Sequence, residues 1–105
     1  MSLSKREHPE AREELRDAAN WYDDEQPGLG DDFYDAIDEA LQHMLDWPFV
    51  APVFPNWQDT PQVRSASVRA FPYRVLYYAN DTSIVVLAYA HQRRKPGYWQ
   101  HRIDG

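Results

Sequence analysis

The chain has 105 residues, 43% of them hydrophobic, no cysteine and a formal net charge of −6. That length suits one domain with a modest core, and the lack of cysteine excludes disulfides and thiolate metal sites. No apolar run approaches the roughly 18 residues of a membrane span, and no apolar signal segment opens the chain, so a cytoplasmic protein without membrane attachment is expected.

Charge divides sharply along the chain. Residues 1–62 hold 4 Lys/Arg against 15 Asp/Glu, whereas residues 63–105 hold 7 against 2. An acidic half discourages a nucleic-acid footprint over the whole surface, and a basic half permits a local one.

The helical part spans about residues 9–47. In "HPEAREELRDAANWYDDE", Ala11, Leu15, Ala18 and Tyr22 recur on one face of a 3.6-residue period. Pro9 suits the first helical position, and early Glu10, Glu13 and Glu14 complement the helix dipole. "QPGLG" breaks the pattern. "DDFYDAIDEALQHMLDW" then predicts a second helix with Phe33, Ile37, Leu41 and Met44 on its apolar stripe, Asp31 as N-cap and Pro48 as the stop. The short link predicts an antiparallel hairpin. The acids on its outer face read as a solvated surface.

Residues 48–62, "PFVAPVFPNWQDTPQ", form a proline-rich loop too apolar to hang free, so it should pack on the body. From 63 to 90 the period becomes two. "VRSASVR", "FPYRVLYY" and "IVVLAYA" read as strands, with a turn at Asn80 and Asp81, and short connections predict an antiparallel meander. "LSKRE" offers a further edge strand with poor alternation. The residues thus read as a helical hairpin, a packed loop and an antiparallel meander.

Residues 91–105 close the chain with a basic segment. His91 has the intrinsic pKa for proton transfer near neutrality, Arg74 and Arg93 supply a cationic clamp, and Tyr98 supplies a proton or a stacking surface. Arg64, Arg69, Arg94, Lys95 and Trp99 are candidate binding residues for a phosphate or a single-stranded nucleic acid. The same residues admit a structural reading, in which Arg74 pairs with a hairpin acid and Tyr98 and Trp99 dock on the core. No metal-ligand spacing or phosphate-binding loop is present, and neither a metal nor a cofactor is expected. Four Trp and seven Tyr are many for this length; exposed aromatics mark partner sites, and Trp99 is expected to face a partner or substrate.

Taken in order, "WYDDEQPGLGDDFYDAI", "FPYRVLYY" and "VVLAYAHQRRKPGYW" resemble the RelE/ParE superfamily of toxins from type II toxin–antitoxin modules, over about residues 8–102. The resemblance implies an α+β fold, a helical hairpin packed on a twisted antiparallel sheet of three to four strands, and a cognate antitoxin that wraps the toxin, and it is compatible with a homodimer. It also implies one of two targets. RelE-like members cut mRNA on the ribosome without metal, and their site residues correspond to Arg74, His91, Arg93 and Tyr98. ParE-like members poison DNA gyrase and have no nuclease chemistry. RNA-cleaving members tend to be basic, and this chain is acidic. A relic that binds antitoxin without toxicity is a third alternative.

Overall fold

A computed structural model describes residues 3–55, 57 and 59–103. Strand β1 (Ser4–Glu7) leads into helices α1 (Pro9–Glu25) and α2 (Leu29–Asp46), followed by strands β2 (Arg64–Ser67), β3 (Tyr73–Ala79) and β4 (Ser83–His91) and a short 3-10 turn at Gln100–Arg102. The sheet order is β1-β4-β3-β2. Among the described residues no helix is long and apolar enough to cross a membrane.

Local chemistry explains the hairpin. The His8 ring Nδ1 accepts from the Glu10 N–H at 3.1 Å, and Pro9 stands where its missing N–H is no loss. At the turn, Gly28 takes φ +92°, a conformation that favours glycine. The expected cap at Asp31 is not used. Asp23, reaching across from α1, accepts from the N–H groups of Gly28 (3.2 Å) and Gly30 (2.8 Å). A side chain at position 30 would meet the Ala19 carbonyl oxygen at 2.7 Å, so the small residue also sets how closely the helices approach.

The α+β class and the β2–β3–β4 antiparallel meander are as expected. The edge strand at Ser4–Glu7 forms, but it runs parallel to β4, so the sheet is mixed. The topology demands this, because two antiparallel helices carry the chain back before it enters the sheet again. Between Leu76 and Tyr77 the register shifts, leaving Leu87 as an extra residue on β4. This bulge turns both Leu87 and Ala88 away from the helices.

Both sheet faces are therefore buried. On the inner face Phe33, Ile37 and Met44 of the hairpin pack on Val75, Tyr77, Val86 and Tyr89. Tyr22, Phe33, Phe71 and Tyr73 add edge-to-face and tilted ring contacts there. On the outer face Val63, Leu76, Leu87, Ala88 and Ala90 are covered by Trp99, with Phe54, Trp57 and Tyr98 around it. The 48–62 loop packs as expected. Phe54 N–H donates to Val63 O at 2.7 Å and Ser65 N–H to Pro52 O at 2.9 Å, so the loop lines the free edge of β2. Residues 56 and 58 of it lie outside the described residues.

Trp99 corrects an expectation. It is 1% exposed, with ring centroids 5.2 Å from Phe54 and 5.3 Å from Trp57. It is the buried centre of the outer core and not an exposed aromatic. Trp99→Ala should lower the stability to urea by about 3–5 kcal/mol, the usual cost of emptying a large aromatic site; an unchanged unfolding midpoint would show the outer core to be dispensable.

Candidate functional site

The basic side chains of the second half do not converge on one surface. Arg64 donates to Ala51 O at 2.7 Å and to Gln62 Oε1 at 3.2 Å, and its guanidinium lies over Phe49. Arg69 forks onto Glu39 of α2 at 3.2 and 3.3 Å. These two belong to the loop side and the helix side, away from the outer face.

Arg74, Arg94 and Lys95 do come together. With His91 and Tyr98 they line a cavity of about 310 Å³ on the outer face of the sheet, floored by Leu76, Ala90 and Trp99. Strand alternation turns Arg74 outward, and the segment after β4 folds back to bring Arg94 and Lys95 over the same face. Arg74 is held there by Ser65 on the neighbouring strand, whose hydroxyl and carbonyl oxygen accept from Nε and Nη2. Arg93 is exposed and is not among the cavity's lining residues. The His91 ring stands edge-on to Tyr73 at 5.2 Å, toward the inner face, and its Nδ1 accepts from the Arg93 N–H at 3.0 Å.

Tyr98 is committed elsewhere. Its hydroxyl donates to Glu14 Oε2 at 2.6 Å, and Arg94 lies 3.8 Å above its ring. Burial, and then the bond to Glu14, push the phenol above its ordinary range. A phenol so held is a poor proton donor near neutrality.

The residue that organises this region is Glu14. Arg102 reaches both its oxygens, at 2.9 and 3.1 Å, and also donates to Leu87 O at 3.0 Å. The Tyr89 N–H adds a further bond to Glu14 at 3.1 Å. Arg102 is 7% exposed. Its Nε is the one buried side-chain polar atom without a hydrogen-bond partner among the described residues, with Glu10 Oε2 at 3.7 Å. His101 meets the same Glu10 oxygen at 2.8 Å. Beyond complementing the helix dipole, as its early place in α1 predicts, Glu14 anchors the C-terminal segment. It lies three residues after Ala11 and four before Ala18, inside the apolar stripe of α1. No group of three or more His, Cys, Asp or Glu is placed to hold a metal among the described residues.

Comparison with known proteins accords with this geometry. Residues 6–96 match the family model described as the ParE toxin of the type II toxin–antitoxin system parDE. Among solved structures, a chain of the chromosomal ParDE toxin–antitoxin system from P. aeruginosa superposes with a TM-score of 0.70 at 16% identity, covering 85% of this chain and 95% of that one. At that identity the likeness concerns the fold. Comparison with curated protein sequences gives no match.

Two outcomes are expected of the Glu14 network. Arg102→Met strands a largely buried carboxylate and should cost about 3–5 kcal/mol in urea unfolding. The raised phenols of Tyr98 and Tyr89 mean that the unfolded chain loses these protons first. Their contribution is whole below about pH 10 and is lost as pH climbs beyond it. Tyr98→Phe should flatten that alkaline decline, read as the urea midpoint against pH.

Proposed function

Because the chain belongs to the ParE toxin family of type II toxin–antitoxin systems, we propose that it arrests growth by binding DNA gyrase through protein–protein contact and does not cleave RNA. Membership implies an antitoxin partner. The target follows from the ParE branch, whose members poison gyrase. The toxin acts in the cytoplasm, with the helical hairpin and the C-terminal segment as its contact surfaces.

The observation that carries this reading is the condition of Tyr98. Metal-free cleavage beside a 2′-hydroxyl needs a base, a cationic clamp and an acid for the leaving oxygen. The phenol is bonded to Glu14, Arg93 lies outside the cavity that Arg74 lines, and the His91 ring is turned toward Tyr73. Arg74, His91 and Tyr98 line the same cavity, but a phenol bonded to Glu14 and an imidazole turned toward Tyr73 favour contact over catalysis. A protein-contact toxin needs no such assembly.

Induced expression should produce double-strand breaks and an SOS response while cellular mRNA stays intact, and the purified protein should block supercoiling by gyrase. Undisturbed supercoiling in excess toxin would reject gyrase as the target. Fragmented mRNA would restore the nuclease alternative, and normal growth would favour a relic that only binds antitoxin.

A further inference from the structure

The outer cavity joins an apolar interior to positive charge. Its floor of Leu76, Ala90 and Trp99 is extended by Val53 and Phe54. Arg74, Arg94 and Lys95 are its cations, and no carboxylate lines it among the described residues. The chain as a whole carries 17 acids against 11 Lys and Arg, so this composition sets the cavity apart. Its volume of about 310 Å³ stands at the small end of the roughly 300–1,000 Å³ typical of sites for small organic ligands.

The three cations are not equivalent. Arg94 lies 3.8 Å above the Tyr98 ring, and Lys95 is exposed. Arg74 is half-buried and held in place. Ser65, only 6% exposed, accepts from its Nε and Nη2 through the hydroxyl and the carbonyl oxygen. Both of those partners are neutral. None of the ion pairs among the described residues includes Arg74, whereas Arg12, Arg69 and Arg102 each have a carboxylate. Its Nη1 has no hydrogen-bond partner among the described residues. A partly desolvated cation without a counter-charge, set beside carbon, attracts an anion more strongly than one in open water.

We propose that the outer cavity binds a small organic monocarboxylate with an apolar body. The carboxylate meets Nη1 of Arg74, and the hydrocarbon rests against Phe54, Leu76 and Trp99. Arg94 and Lys95 add attraction from the exposed side. A single charge matches the lining. A phosphate would bring further oxygens over the apolar floor, where they find no donor. A nucleotide would also want an open aromatic face for its base, and here Trp99 is buried while Arg94 covers a face of Tyr98. The inference does not depend on which protein the toxin poisons, so a gyrase that resists the toxin leaves it standing.

The test titrates 3-phenylpropanoate into the purified full chain at neutral pH, read from backbone amide NMR shifts. Binding should saturate with a dissociation constant of about 1 mM or lower, and the shifts should gather at residues 53–54, 74–76 and 90–99. The neutral 3-phenylpropanamide should bind at least about tenfold more weakly. Arg74→Gln should cause a similar loss, and Arg93→Gln, exposed and outside the lining, should cause none. If circular dichroism shows Arg74→Gln unfolded, the Arg94→Gln, Lys95→Gln double variant decides. It alters only exposed side chains and should weaken binding at least about threefold. No saturable binding, equal affinity for the amide, unchanged affinity in the deciding folded variant, or an equal loss in Arg93→Gln would each overturn the proposal. Tighter binding of inorganic phosphate or uridine 5′-monophosphate than of the carboxylate would overturn it as well.

Discussion

Arg102 holds Glu14 with both terminal nitrogens, and one of them also reaches the carbonyl of Leu87. The arrangement answers a backbone problem. Strand β1 pairs with β4 only as far as Val86, so the β4 edge beyond that point lacks a neighbouring strand. Buried backbone groups must find partners. The Tyr89 N–H finds Glu14, and the Leu87 carbonyl finds Arg102. A side-chain pair from the first helix and the chain terminus thus replaces the missing strand. The pair must also offset the desolvation of two charges, so its clearest effect is to fix where the C-terminal segment lies.

Everything on the outer face follows from that placement. Once Arg102 is pinned, Trp99 is set over Leu76 and Leu87, and Phe54 and Trp57 of the proline-rich loop close around it. The sheet acquires a second core. That is how a chain of this size hides so much of its aromatic surface while leaving Trp21 and Trp47 outside. The same folding back carries Arg94 and Lys95 over the sheet toward Arg74 and makes the cationic cavity. Stability and surface chemistry here share one cause.

The charge division is the other organising feature. The hairpin keeps its acids in water, while the cations of the second half go to several destinations. Arg69 returns to the hairpin through Glu39, Arg64 secures the loop, and Arg102 is buried. What remains on the outer face is a small positive rim over carbon.

Periodicity carried much of the fold. The stripe of Phe33, Ile37, Leu41 and Met44, the alternation through Tyr73, Val75 and Tyr77, and the glycine turn at residue 28 are local signals, and each element formed where its pattern stood. Asp23 as the cap of α2 and Glu14 as the anchor of the terminus were harder to see, because each serves a segment distant in sequence. The direction of β1 and the bulge at Leu87 depend on which neighbour a strand meets. The destinations of the cations were likewise undetermined by residue type. Arg74, Arg94 and Lys95 became one rim, and Arg64, Arg69 and Arg102 did not. An isolated stretch of chain encodes its own period and turns, but the partner of a charge or of an open strand edge is chosen only when remote segments are packed together and water is excluded between them.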